Sequence, residues 1–223
     1  MSRGLGDVYK RQEHPDMLLF DCGDISQGTP YYNMFQGEVE VKMMNEMKYD
    51  AMTIGNHEFD FDLDNMARLF RMADFPVVCA NYDVSATVLK DLVKPYVVFE
   101  RDGVKIGVLG LGCQLEGMVQ ANKCVGVVYN DPVTVANEVA AVLKEKEGCD
   151  VVVCLSHLGV QYDENQLIPK TRNIDVVLGG HSHTFMKGPK TLLNMDGKNV
   201  SLMHTGKSGI YVGQMDLTLE KKK

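Results

Sequence analysis

The stretch Gly55-Asn56-His57-Glu58-Phe59-Asp60 follows the apolar run Ala51-Met52-Thr53-Ile54 and precedes a helical pattern that begins near Asp62. It reads as the carboxyl end of a buried strand that delivers an Asn, a His and two acids into a loop. Packing alone gives no reason to place an Asn beside a His there. Working outward, the same arrangement recurs. Met17-Leu18-Leu19-Phe20 is a short continuous apolar run, typical of a strand buried on both faces, and it leads into Asp21-Cys22-Gly23-Asp24. Val151 to Leu155 stops at Ser156-His157, and Ile174 to Leu178 stops at Gly179-Gly180-His181-Ser182-His183.

Four apolar strands thus end in ligand-type residues: Asp24, Asn56, His157 and the His181/His183 pair. In mixed α/β sheets, sites gather outside the carboxyl ends of the strands, so groups far apart in sequence can converge. A single His after a strand is ordinarily a hydrogen-bonded surface or core residue; four such residues at one topological position favour a metal. An oxygen and imidazole set without thiolates suits Zn, Mn or Fe in a hydrolytic centre, with Asp24 able to bridge two ions. Glycines at 23, 55, 179 and 180 would let backbone approach the metal or phosphate closely.

The rest of the chain fits one α/β domain. With 223 residues and 45% hydrophobic content it can build a sizeable core. The formal charge of −7 argues against a nucleic-acid polymer or an anionic membrane surface as partner. No run of about 18 apolar residues exists, so no membrane span is expected. The six cysteines form no C-x-x-C pair and read as buried or incidental thiols. Val39, Met43, Met44 and Met47 recur at helical spacing and are expected in the core. Asp62 is expected to cap a helix that buries Leu63, Met66, Ala67 and Phe70. Pro76 to Ala80 reads as a third strand, and Tyr96 to Phe99 with Val104 to Leu109 as a hairpin about Arg101-Asp102-Gly103. Gly110 to Tyr129 reads as a loop near the site. Asp131-Pro132 starts a helix with Val135, Val139 and Val142 on one face, and a helical piece is expected from 163 to 171. Short strands are expected at 190–193, 199–204 and 210–219. His14 reads as surface; His204 is left open between a site rim and a core histidine.

These residues together resemble the calcineurin-like metallophosphoesterases in order and approximate spacing. The extended form from Gly55 to Asp60, with Gln27-Gly28-Thr29-Pro30 and Ala80-Asn81, is similar to the 5′-nucleotidase and UDP-sugar hydrolase branch, and the likeness covers residues 16–219. It implies a four-layer α-β-β-α sandwich and two divalent metal ions bridged by a carboxylate and a hydroxide that attacks phosphorus. Carried over, Asp24 is the bridge, Asn56, His157 and His181 complete one metal's shell, and His183 belongs to the other. His57 would stabilise the transition state or protonate the leaving oxygen, Asp60 would orient its ring, and Asn81 would contact phosphate. The implied partner is a small phosphate ester, most readily a 5′-nucleotide, with a cyclic-nucleotide or other phosphodiesterase, or a non-catalytic metal- or phosphate-binding module, as alternatives. The resemblance also implies a periplasmic or exported parent protein.

The chain departs from the family at its start. The expected Asp-x-His of a first strand does not precede Asp24. Asp7-Val8-Tyr9-Lys10-Arg11-Gln12 resembles a translated sequencing-adaptor end, so residues 1–12 are expected to be a scar, with the catalytic domain at 13–223 lacking its first strand. The second, base-holding domain of the nucleotidase branch is expected to be absent, and turnover to be impaired.

Overall fold

The computed structural model describes residues 14–28 and 30–219; the expected scar lies outside them. Two sheets face each other. The first is parallel and built from strands of two residues: β1 (Phe20–Asp21), β2 (Ala51–Met52), β3 (Val77–Val78) and β5 (Val93–Lys94), in that order. The second has six strands. β7 (Val104–Leu111), β9 (Val151–Ser156), β10 (Val176–Gly179) and β12 (Asn199–His204) run parallel, while β6 (Tyr96–Arg101) and β11 (Lys190–Leu193) pair antiparallel on the edges.

Helices cover both outer faces. A short α1 (Pro30–Phe35) leads into α2 (Glu38–Glu46), which with α3 (Leu63–Met72) packs on the first sheet through Val41, Met44, Met66, Ala67, Leu69 and Phe70. Asp62 caps α3 as expected, accepting from Asn65 N at 2.7 Å. On the second sheet lie α4 (Pro132–Glu145) and a helical segment from Val160 to Lys170 whose middle, Asp163–Leu167, is a π turn. Between the sheets, Ala51 and Val78 meet Val108, Val151, Val153, Leu155 and Val176. β9 shows why the layers hold: Val152 and Cys154 face the helices while their neighbours face the other sheet, so both faces of one strand bury apolar surface. The expected four-layer sandwich is what forms.

Several expectations need correction. The buried face of α4 is Ala136, Ala140 and Leu143, and the three valines lie half-buried on its flank. Small alanines let the helix come close to β7, where a Cβ on Gly107 would collide with the Leu143 side chain and Cys149 Sγ. In α2, Val41 and Met44 are the buried pair, and Met43 points to solvent. Residues 211–219 form no strand and are mostly exposed, because no neighbouring strand among the described residues offers them a ladder. The strands of the first sheet, two residues each, are shorter than their apolar runs. The hairpin turn is as expected, with Asp102 (φ 52°) and Gly103 (φ 75°) both left-handed. In the 110–129 loop, β8 (Val128–Tyr129) pairs with β4 (Tyr82–Asp83). No helix among the described residues is long and apolar enough to cross a membrane.

Candidate metal and catalytic site

The loops after β1, β2, β9 and β10 meet at one end of the sandwich. Asp24, His157 and His181 offer ligand atoms that all lie within 4.8 Å of one another. Three glycines make this convergence possible. A Cβ on Gly55 would collide with the Asp24 carboxylate and the His157 ring, and one on Gly23 or Gly180 would press on His157. Gly179 is different: the space over it is taken by the His204 ring. Asp24 (φ 66°), His181 (φ 66°) and His183 (φ 54°) are all left-handed, a costly conformation for residues with a Cβ that tends to persist where function demands it.

His157 is fully buried, and its Nδ1 donates to the Cys22 carbonyl at 2.5 Å. That bond fixes the tautomer and turns a bare Nε2 toward Asp24. Nε2 lies 2.9 Å from Asp24 Oδ2, within ion-pair range but without hydrogen-bonding geometry. A buried imidazole nitrogen and a half-buried carboxylate oxygen face each other at the spacing of neighbouring ligands on one cation, so the residues present fit a divalent metal. Burial opposes charge on both groups. The His157 ring and the His57 N–H nevertheless hold Asp24 below the usual carboxylate range, and Asp24 holds His157 above its own. A metal would compete for the same lone pair. Burial, then the neighbouring His157, pushes His181 down, toward the neutral form that ligates.

His57 follows directly. Its backbone N–H donates to Asp24 Oδ1 at 2.9 Å, and its Nδ1 is 2.9 Å from Asp60 Oδ2. Asp60 therefore orients the ring. Asn56 is half-buried on the same turn, its Oδ1 3.7 Å from Cys113 Sγ. His183 is exposed and stands outside the tight cluster. The 110–129 loop does border the site, through Cys113 and through Lys123 Nζ, which donates to the Asp60 carbonyl.

Asn81 is held by the backbone of Gly112. It is fully buried, and its amide is committed to Gly112: Nδ2 donates to the carbonyl and Oδ1 accepts from the N–H, both at 2.8 Å. It ties the start of β4 to the end of β7. His204 is a core residue, bonded to Asp163 at 3.0 Å.

One residue of the motif had no role assigned from sequence. Glu58 is buried, and its carboxylate accepts from the backbone N–H groups of Gly55 (2.6 Å), Asp24 (2.9 Å) and Ser26 (3.3 Å). Burial, with the Asp24 charge behind it, pushes its carboxyl up to about 7 against the pull of those donors. The local signal was present: an acid reaching back to an N–H three residues earlier is the spacing of a capping box. Beside His181, a groove of about 550 Å³ opens between Leu158, Gln161, Tyr162, Asn165, Gln166 and Ser182.

The chain is similar to known proteins over nearly its whole length. The chain is 30% identical over 244 residues to the trifunctional nucleotide phosphoesterase protein YfkN of Bacillus subtilis, covering 95% of this chain and 16% of that protein. It is 29% identical over 229 residues to the 5′-nucleotidase of Homo sapiens, covering 95% and 39%. Among solved structures, the 5′-nucleotidase precursor from Thermus thermophilus superposes with a TM-score of 0.85 at 31% identity, over 91% of this chain and 42% of that one. The calcineurin-like phosphoesterase YfkN gives 0.76 at 28% identity, over 93% and 73%. The chain thus spans well under half the length of the curated relatives it matches. The family model for calcineurin-like phosphoesterases matches residues 3–185, and with the site as described the chain belongs to that family.

Proposed function

We propose that this domain hydrolyses phosphate monoesters, 5′-nucleotides foremost, with two divalent cations as cofactors. The observation that carries the reading is the single carboxylate of Asp24, whose Oδ2 faces His157 while its Oδ1 holds the backbone of His57. Metal ligation and the acid–base group are thereby fixed to each other. When bound, the cations polarise the phosphoryl oxygens and lower the pKa of an attacking water. Asp24, Asn56, His157 and His181 would hold one ion, and Asp24 with His183 would serve the second. His57, its Nδ1 bonded to Asp60, presents Nε2 to protonate the leaving oxygen or to bond the transferred phosphoryl group. The groove beside His181 gives the organic part of the ester a place to lie.

Among the described residues only Asp24 and His183 are assigned to the second ion, so impaired turnover is part of the proposal. Hydrolysis of p-nitrophenyl phosphate and 5′-AMP with Mn²⁺ or Zn²⁺ tests it: activity should require added metal and disappear with chelator. Preference for bis-p-nitrophenyl phosphate would make the domain a phosphodiesterase, and metal uptake without hydrolysis of any ester would make it a binding module. A periplasmic or exported parent protein belongs to the same reading, which cell fractionation tests.

A further inference from the structure

Behind the ligands, three residues stand in register across the second sheet: Ser156 on β9, Gly179 on β10 and His204 on β12. Asp163, at the start of the π turn, reaches over this row with a fully buried carboxylate. Its Oδ1 accepts from Ser156 Oγ at 2.6 Å, and its Oδ2 lies 3.0 Å from His204 Nε2. The middle position is glycine because the His204 ring lies over it on the way to Asp163.

The hydrolytic reading uses neither Asp163 nor His204. Yet two strands of the row run straight into ligands, since His157 follows Ser156 and Gly180-His181 follows Gly179. Ser156 is tied twice more, its carbonyl accepting from Gly180 N at 2.8 Å and its Oγ from Leu158 N at 3.2 Å. Apolar residues of similar volume would fill this space without the desolvation cost of a buried carboxylate and imidazole. They would not fix direction, which hydrogen bonds do.

We infer that Asp163 and His204 are positioning residues. Gripping Ser156 and His204 from the two sides of Gly179, the Asp163 carboxylate clasps the β9 and β12 ends with the β10 end between them, and so holds His157 and His181 at ligand distance. This rests on the reading of Asp24, His157 and His181 as metal ligands. His204 Nδ1 has no hydrogen-bond partner, so the bond from Nε2 is the ring's side-chain anchor. H204F deletes that anchor and keeps the bulk, whereas H204Q returns an N–H donor.

The test is calorimetric titration of Mn²⁺ into the metal-free full chain, with NMR of the histidine ring nitrogens in the same samples. H204F should bind Mn²⁺ about tenfold more weakly and H204Q within about twofold of the unsubstituted chain, the range usual for groups behind a metal ligand. In metal-free H204F, the His157 Nδ1–H signal, held by the Cys22 carbonyl, should broaden through exchange. Unchanged Mn²⁺ affinity with an unchanged His157 signal in H204F overturns the inference. If the unsubstituted chain takes up no Mn²⁺, the metal-centre reading fails. The His157 signal then decides positioning alone: its loss in H204F supports the role, and its retention overturns it.

Discussion

On the first sheet, every strand is two residues long, and the loops leaving β1 and β2 are pinned by Glu58, whose carboxylate gathers three backbone N–H groups. On the second sheet, β9 and β10, six and four residues long, run up to the ligands within a sheet of longer strands, and Asp163 grips side chains across the row. The contrast has a physical origin. A two-residue ladder supplies few bonds to align the chain beyond it, so the loop's own backbone must be held by a buried acceptor. A longer ladder has already aligned the backbone, and only the spacing of the strand ends remains to be set.

The largest expected effect separates chemistry from the first clamp. His57→Asn keeps the backbone N–H that binds Asp24 and removes the imidazole. Steady-state kinetics on p-nitrophenyl phosphate should show kcat lower by about 10² to 10⁴, the usual worth of a general acid, with Mn²⁺ affinity retained. Glu58→Gln breaks the clamp itself. An amide offers one acceptor oxygen to three N–H groups and turns its own NH₂ toward the rest, so urea unfolding should give a loss of about 2–4 kcal/mol. Gly179→Ala strikes the other side by driving a methyl into the His204 ring. Thermal melts should give a smaller loss, about 1–3 kcal/mol, because the longer strands persist while the ring shifts. A larger cost at Gly179 than at Glu58 would reverse the comparison. The smallest effect lies away from both clamps: Asp131→Ala removes the cap of α4, which accepts from Thr134 N at 2.8 Å. It should cost about 1 kcal/mol in the same melts and leave turnover unchanged.

Much of the site was legible because its signals are local. A ligand-type residue after an apolar run needs no knowledge of partners, and Asp24, His157 and His181 do come together. The caps at Asp62 and Asp131 and the left-handed turn at Asp102-Gly103 were equally readable, since each is settled within four residues. Other features depend on what lies opposite. Valines at 135, 139 and 142 look like a buried face until β7 brings Gly107 against Leu143, where alanines let the helix come closer. Nothing local to Asn81 points to Gly112, 31 residues later, which bonds both ends of its amide. The 211–219 segment has strand-like residues and no ladder among the described ones.

By itself the sequence determined which strands end in Asp, Asn and His, in what order, and that carboxylate and imidazole rather than thiolate would converge. Spacing and residue type suffice for that, because they act within one turn or one strand. Only the tertiary structure decided what holds those groups in place: Glu58 collecting amides from two loops, Asp163 bridging two strand ends, Cys22 fixing the ring of His157. Apart from the reach of Glu58 back to Gly55 and of Asp163 back to Ser156, seven residues earlier, these bonds join residues that are distant in sequence and lie outside any common periodicity. They exist only once the sheets have stacked and excluded water, when a buried acceptor must find a donor or lose stability.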